Sequence, residues 1–239
     1  MKNEPLTGYL LHARPYQETR AIYYLFSQEH GVVHGVGKRG LPEFAKLSLF
    51  ATGKGGLKNF KDVSIVSAIY PKRHYYYALL YLNEVLYRLL VPENPCLGLW
   101  QVYQDSLEQI DQLIGVGDDM PLRLILRSFE RALFVELGVE LDFDEDHLGQ
   151  DIRADGYYKF VPNVGFVASA GTGIVQDSTS SQSLYWGQDL QLMATAKQNP
   201  QIYSNQLKQF SQLQRALLDF LLDYRPLNSR KLWQQRFVN

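Results

Sequence analysis

The stretch GYLLHARPYQETRAIYYLFSQEHGVVHGVGKRG, residues 8–40, alternates short apolar runs with turn-forming residues. The runs 8–14, 21–27 and 32–36 are rich in aliphatic and aromatic side chains, as β-strands are. Polar or glycine-containing segments separate them, and such residues favour turns. This stretch therefore predicts three consecutive β-strands with short connections.

The same alternation continues to residue 70. Further apolar runs lie at 44–50, 57–60 and 63–70, and the glycine-rich turn 53–56 separates the first from the second. Five or six strands in about 70 residues are typical of a small closed barrel, and this number fits an OB-fold. We therefore predict an OB-fold β-barrel over residues 1–72.

From residue 75 the apolar residues recur every three or four positions, as Leu79, Leu82 and Leu86 do, which is the period of a helix. The same spacing predicts helices over 75–90, 99–114, 121–137, 184–197 and 204–222, with a short one after Asn228. Residues 171–183, rich in Gly, Ser and Thr, predict a loop. Ser204 is a candidate N-cap for the helix that it begins.

The predicted fold class is therefore α+β. An N-terminal OB-fold β-barrel over 1–72 is followed by a mainly α-helical domain over 73–239. That domain contains an irregular insertion at about 138–182, in which the segments 157–160 and 166–169 predict a short hairpin.

The composition excludes several classes of protein. Cys96 is the single cysteine, so the chain forms no intramolecular disulfide and offers no cysteine-rich zinc site. Residues 1–14 show no apolar core followed by a cleavage site, so no signal peptide is expected. No stretch approaches the roughly 18 apolar residues of a membrane span. We expect a cytoplasmic protein that does not bind a membrane.

The charge is unevenly distributed along the chain. Residues 1–75 hold 11 basic and 5 acidic residues, a net charge of +6, whereas the remainder holds 13 basic and 20 acidic residues, a net charge of −7. A basic module joined to an acidic one indicates that the first meets a polyanion, unless the charge is scattered evenly over each surface. Nucleic acid is one such polyanion.

Single-stranded nucleic acid is bound by cations that contact phosphates and by aromatic faces that stack on bases. Basic residues in or beside the predicted barrel loops are interleaved with aromatic residues, which a barrel core also needs. The candidate DNA-binding residues are Arg14, Tyr16, Lys38, Arg39, Lys46, Lys54, Lys58 and Lys61. For Arg14 two roles stay open, a DNA contact and a structural corner.

Residues Gly35–Gly40 match the pattern G-x-G-x-x-G, and Asp62 follows about 20 residues later, as in dinucleotide-binding folds. That fold needs a buried strand before the glycines and a helix after them, and Leu41 and Pro42 leave little room for one. A nicotinamide-dependent enzyme is the class that rests on this motif alone. No other catalytic constellation is present, so we predict no enzyme, no cofactor and no metal site.

Several segments together resemble the RecO family of recombination mediators, in order and along nearly the whole chain. They are GYLLHARPYQET (8–19), LFSQEHG (25–31), VGKRG (36–40), YLNEVL (81–86), LRSFERAL (126–133), ELG (136–138) and PLNSR (226–230). Two departures stand out. Many members of the family carry a four-cysteine zinc site after the helix that contains LRSFERAL, where this chain reads LDFD (141–144). In addition, Asn228 replaces the lysine that is usual in the terminal segment.

The resemblance implies an OB-fold followed by a helical domain, and a mediator that binds single- and double-stranded DNA and anneals complementary strands. It also implies partnership with RecR and with the single-strand-binding protein SSB, so that RecA is loaded on SSB-coated DNA near the nucleoid. No cofactor is implied. A plain single-stranded nucleic-acid-binding OB module without mediator partners is the alternative.

Arg123, Arg127 and Arg131 recur every four residues on the predicted helix 121–137 and form one basic stripe. Asp119 and Glu130 could neutralise this stripe within the helix. If the resemblance holds, the stripe could instead bind the acidic C-terminal tail of SSB, because guanidinium groups pair well with carboxylates. The sequence leaves both interpretations open.

Overall fold

A computed structural model describes most of the 239-residue chain. The described residues are 3–71, 74–113, 119–169, 184–196 and 206–235. Within these ranges, no helix combines the length and the apolar character that crossing a bilayer requires.

Five strands form a closed barrel at the start of the chain. They are β1 (Glu4–Tyr16), β2 (Arg20–Ser27), β3 (Gly31–Lys38), β4 (Ala45–Thr52) and β5 (Leu57–Ala68). The order around the barrel is β1-β2-β3-β5-β4, and β4 pairs again with β1. The β3–β5 pair is parallel and the other pairs are antiparallel. This five-stranded barrel confirms the predicted OB-type fold.

The barrel core follows the period of two that strands impose on their side chains. In β4 the buried residues are Ala45, Leu47, Leu49 and Ala51, and the residues between them are exposed or half-buried. The core residues of the other strands are Leu6, Leu10, Ala21, Tyr23, Leu25, Val33 and Phe60. The alternate residues of each strand therefore face outward from the barrel.

Of the five or six strands expected in the barrel, the structure has five. The apolar run 57–60 and the run 63–70 as far as Ala68 belong to the single strand β5, although Asp62 adopts a positive φ of 50°. The pairing of β4 with β5 also shifts its register twice in this region, as at a β-bulge. The polar residues between the two runs therefore mark an irregularity in one strand rather than a turn between two.

Three helices follow, close to their predicted bounds: α1 (His74–Leu89), α2 (Leu97–Gln112) and α3 (Met120–Glu136). Gly138 has a positive φ of 69° just beyond α3, where glycine is favoured because it adopts this conformation without strain. The apolar face of α3 is buried through Leu122, Ile125, Phe129 and Leu133, and Ala132 beside it is half-buried.

The later part of the chain contains the predicted hairpin, β6 (Tyr157–Val161) with β7 (Gly165–Ser169). The helix predicted over 184–197 is wrong at its start, because Leu184–Trp186 form strand β8, which pairs with β6 before α4 (Gly187–Ala196) begins. Two further predicted helices are confirmed, α5 (Leu207–Leu221) and α6 (Asn228–Gln235). Ser204 and the predicted loop 171–183 lie outside the described residues.

The chain divides into two compact units. The first comprises Met1–Glu136 together with Arg225–Asn239, and the second comprises Leu137–Tyr224. Each unit consists of residues that lie close to one another in the fold. The domain boundary predicted from the sequence, between 1–72 and 73–239, instead follows the change from strands to helices. The latter boundary stays a prediction.

Candidate nucleic-acid interface

The strand register brings several predicted DNA-binding residues together on the outside of the barrel. Tyr16 pairs with Arg20, and Arg20 pairs with Lys38, so these three side chains lie in one row across β1, β2 and β3. Cross-strand pairs project to the same face of a sheet. Because Ala21 and Tyr23 point into the core, this row faces outward.

A second row lies next to it. Arg14 pairs with Ile22, which pairs with Val36, and Arg14 lies two residues before Tyr16 on the same outer side of β1. Arg14 is exposed, whereas Ile22 and Val36 are buried. Arg14 therefore lies in a row with the apolar residues Ile22 and Val36, and this row is two residues along the strands from the row of Lys38.

Arg20 also belongs to this candidate interface, although it is not among the residues predicted from the sequence. Its guanidinium Nη2 donates to Asn59 Oδ1 at 3.2 Å, and its backbone oxygen accepts a hydrogen bond from Arg39 Nε at 3.0 Å. The backbone N–H of Arg39 also donates to the oxygen of Thr19 at 3.0 Å. These bonds direct the Arg20 guanidinium across β3 towards β5 and hold the Arg39 guanidinium beside the β1–β2 turn. The signal that could have found Arg20 is its place directly after that turn.

Lys61 extends the same charged region on β5. Val36 pairs with Asn59 in the parallel β3–β5 pair, so Lys38 and Lys61 each lie two residues beyond this pair. Lys61 is exposed, as is Lys38. We use the name basic face for this region of the barrel surface, which consists of Arg14, Tyr16, Arg20, Lys38, Arg39 and Lys61.

Acidic residues also occur close to the basic face. Glu18 lies in the β1–β2 turn and Asp62 follows Lys61, and both are exposed. Two carboxylates beside five cations leave the region with an excess of positive charge. An excess of cations on one surface attracts phosphates.

Lys46 and Lys54 lie apart from the basic face. The Lys46 ammonium donates to Gln104 Oε1 at 3.1 Å and lies 5.4 Å from the centre of the Tyr9 ring and 6.0 Å from that of Trp100. Lys46 is thus half-buried where β4 packs against α2. Lys54 is exposed in the β4–β5 turn.

Lys58 differs from every other predicted DNA-binding residue because it is buried, with 3% of its surface exposed. Its Nζ lies 2.8 Å from Glu93 Oε1 and donates to the oxygen of Gly55 at 2.6 Å. A phosphate could reach this buried ammonium only by displacing Glu93, whose own side chain is partly exposed, or the Gly55 oxygen. The geometry assigns Lys58 to the packing of the β4–β5 turn.

The predicted arginine stripe of α3 is divided by the packing. Arg123 is exposed, whereas Arg127 pairs with Glu130, which is fully buried and also accepts a hydrogen bond from the hydroxyl of Tyr81. Burial, and to a smaller extent Glu130, raises the pKa of Tyr81 well above its usual value, so the phenol stays protonated and donates. Arg131 is half-buried. Arg127 therefore balances the negative charge of the buried Glu130 carboxylate.

The glycine motif at 35–40 has a packing explanation. A Cβ on Gly35 would lie 2.2 Å from Cε1 of Phe60 in the barrel core, so no other residue fits there. No helix follows these glycines, because the chain enters strand β4 at Ala45. The strand–turn–helix geometry of a dinucleotide-binding fold is therefore absent here. Among the described residues, no group of three or more His, Cys, Asp or Glu side chains is placed to hold a metal ion.

Comparisons with known proteins agree on one family. The family model for the C-terminal region of recombination protein O matches residues 71–230. The chain is 33% identical over 247 residues to the DNA repair protein RecO of Pseudoalteromonas atlantica, covering 98% of this chain and 96% of that protein. It is 31% identical over 247 residues to the protein of the same name from Psychromonas ingrahamii, covering 98% and 99%.

A more distant relative gives the same result. The DNA repair protein RecO of Coxiella burnetii is 30% identical over 239 residues, which cover 94% of this chain and 95% of that protein. The family model covers more than half of the chain, and these relatives extend the similarity through the barrel. On these matches, the chain belongs to the RecO family.

Proposed function

We propose that this protein acts in DNA repair as a recombination mediator that binds single- and double-stranded DNA through the basic face and anneals complementary strands. The observation that carries the proposal is the row Tyr16–Arg20–Lys38, which lies beside Arg14 on one outer face of an OB-type barrel. OB-folds bind oligonucleotides on the outer face of strands 2 and 3. The names of the relatives support the setting in DNA repair.

The charge of the basic face suits annealing. Two complementary strands repel each other through their phosphates, and cations that neutralise phosphates reduce this repulsion. A protein surface that binds the sugar-phosphate backbone of DNA leaves the hydrogen-bonding edges of the bases free to pair. The protein then needs no catalytic group and no cofactor, and it acts in the cytoplasm at the nucleoid.

The partners in this proposal are RecR, SSB and, indirectly, RecA. The mediator and RecR help to load RecA on SSB-coated DNA, and the exposed side of α3 around Arg123 contacts the acidic C-terminal tail of SSB. Arg131 contributes to this contact, whereas Arg127 supports it from within the helix through Glu130. A cation and a neighbouring apolar surface are the features that such a tail requires.

The test is a strand-annealing assay with two complementary oligonucleotides, one carrying a donor dye and one an acceptor. The double variant Arg14→Ala/Lys38→Ala should anneal at least about tenfold more slowly, whereas Lys208→Ala, which removes an exposed lysine of α5, should match the wild type. Arg14→Ala alone decides between its two roles. Slower annealing at an unchanged melting temperature assigns it to DNA, and a lower melting temperature with normal annealing assigns it to the fold.

The alternative, a plain single-stranded nucleic-acid-binding module, shares the basic face and differs in its partners. Co-sedimentation with purified SSB and with RecR distinguishes the two functions. Binding to both proteins supports the mediator, and binding to DNA alone supports the plain module. Equal annealing rates for the wild type and the double variant would contradict the proposed role of the basic face in annealing.

A further inference from the structure

A third row of side chains lies across β1, β2 and β3, next to that of Arg14. His12 pairs with Tyr24, and Tyr24 pairs with His34. Since His12 is two residues before Arg14, this row shares the outer side of the barrel with the basic face. At about 3.3 Å per residue, its backbone lies roughly 7 Å from the row of Arg14 and about 13 Å from that of Lys38.

The rings of this row contact one another and a residue of α1. The ring centres of Tyr24 and His34 are 4.4 Å apart, and those of His12 and Tyr24 are 5.5 Å apart. The ring of His12 stacks on that of Tyr87 at 4.9 Å with an angle of 19° between the planes. His12 is nevertheless exposed, and the other three are half-buried. We call these four residues the aromatic row.

The two histidines are uncharged near neutral pH. Burial lowers the pKa of His12, and Arg14 lowers it further against the opposing effect of Glu84. Burial and then Arg14 lower the pKa of His34. Neutral imidazoles present flat π faces to a base without adding a fixed charge.

Acidic groups near the aromatic row are engaged by other partners. Glu84 accepts hydrogen bonds from the start of α6, and Glu93 pairs with Lys58. Glu43 accepts a hydrogen bond from the hydroxyl of Tyr76 at 2.9 Å. These contacts reduce the repulsion that the three carboxylates would exert on a phosphate held by Arg14.

We propose that the aromatic row is a stacking site for unpaired nucleobases, with His12 as its exposed end and Arg14 as the cation that holds the adjoining phosphate. The inference rests on the proposed DNA binding by the basic face and adds a part that recognises bases. In a duplex the faces of the bases are covered by their neighbours. The site therefore selects single strands, whereas the basic face alone binds phosphates of either form.

The experiment compares two probes that carry the same phosphates, an oligothymidylate and an abasic oligonucleotide of equal length. Binding of each is measured by fluorescence anisotropy for the wild type, His12→Ala, His12→Phe and His30→Ala. His12→Phe keeps an aromatic ring at the position. His30 is the matched control, a histidine of the β2–β3 turn whose Nε2 lies 3.3 Å from Glu4 Oε2.

The wild type should bind the oligothymidylate at least about fivefold more tightly than the abasic probe, the lower end of what one stacked base contributes. His12→Ala should lose this preference while its affinity for the abasic probe stays unchanged. His12→Phe and His30→Ala should keep it. A circular-dichroism melt of each variant verifies that the fold is retained, and Tyr24→Leu provides a second variant of the row.

Four results would overturn the inference. Equal wild-type affinity for the two probes, or an equal loss for both in His12→Ala, removes the stacking site and leaves phosphate binding by the basic face intact. Loss of the preference in His12→Phe shows that an imidazole hydrogen bond, and not stacking, reads the base. Absence of wild-type binding to either probe contradicts the proposed function itself.

Discussion

Glu84 and Ser229 are joined by two hydrogen bonds across 145 residues of sequence: the N–H of Ser229 lies 2.8 Å from Glu84 Oε2, and its hydroxyl lies 2.7 Å from the same atom. The N–H of Asn228 donates to the other carboxylate oxygen at 2.9 Å. A carboxylate from α1 thus caps the N-terminus of α6, where unsatisfied N–H groups and the helix dipole favour negative charge. This contact joins the segments YLNEVL and PLNSR in the folded chain.

Glu84→Ala should lower the free energy of unfolding by about 2–4 kcal/mol, because it leaves two backbone N–H groups and a hydroxyl without their acceptor in a buried site. Urea unfolding followed by circular dichroism measures the change. Asp111→Ala removes an exposed carboxylate from α2 and should change the stability by less than about 0.5 kcal/mol. Equal stability of the two variants would contradict the capping role.

The strands and helices follow from the sequence because their patterns are local. The period of two in β4 and the period of 3.6 in α3 are visible in single segments. The start of the predicted helix at 184 is wrong because Tyr185 enters a strand pair with Tyr158, a non-local contact that local propensity does not encode.

The placement of the candidate site residues could be predicted only in part for the same reason. Lys38 and Lys58 look alike in the sequence, and only the tertiary fold exposes the first and buries the second against Glu93. Arg20 was not predicted because only the pairing register of β2 with β3 shows that it lies beside Lys38. Burial and register depend on contacts between distant segments, which a single sequence does not display.

Mutations of Lys58 and Lys61 should therefore affect different properties of the protein. Lys58→Met should lower the free energy of unfolding by about 1–3 kcal/mol, since the Gly55 oxygen loses its charged donor and Glu93 its ion-pair partner, while the folded protein keeps its affinity for single-stranded DNA. Lys61→Met should leave the stability unchanged and weaken DNA binding. Thermal melts and anisotropy titrations of both variants test this, and the reverse pattern would place Lys58 at the interface.

Arg127→Ala should destabilise the protein by about 3–5 kcal/mol, because it leaves the buried carboxylate of Glu130 without its cation. The exposed Arg123 offers the comparison within the same helix, and Arg123→Ala should change the stability by less than about 0.5 kcal/mol. Similar stabilities for the two variants would show that Glu130 does not depend on Arg127.

The same pair of variants clarifies the proposed contact with SSB. Arg123→Ala should weaken binding of a fluorescent peptide with the sequence of the SSB tail by roughly 1 kcal/mol, with single-stranded DNA binding nearly unchanged. An equal loss for both ligands would make α3 a general polyanion site. No loss for either would leave Arg123 as a solvated residue.

Acidification should destabilise the barrel through His34. Burial and Arg14 lower its pKa in the folded state below the usual 6.5, although Glu93 opposes this, so the unfolded chain binds the proton more readily. Its Nε2 is buried without a hydrogen-bond partner in the described part of the chain. The free energy of unfolding should therefore fall as the pH drops below about 6.5.

The measurement is urea unfolding between pH 7 and pH 5. His34→Gln should show a smaller fall over this range than the wild type, and His147→Gln, which replaces an exposed histidine, should show the same fall as the wild type. An unchanged pH dependence in His34→Gln would mean that other groups cause the effect.

The central claim is that the basic face binds the phosphates of DNA, and the salt dependence of binding tests it most directly. The affinity of the wild type for an oligothymidylate should fall steeply with salt concentration, since bound cations release counterions from the strand. In Lys38→Ala/Arg39→Ala the slope of log affinity against log salt should flatten by up to about two units, one for each lost contact. Lys208→Ala should keep the wild-type slope, and an unchanged slope in the double variant would contradict the claim.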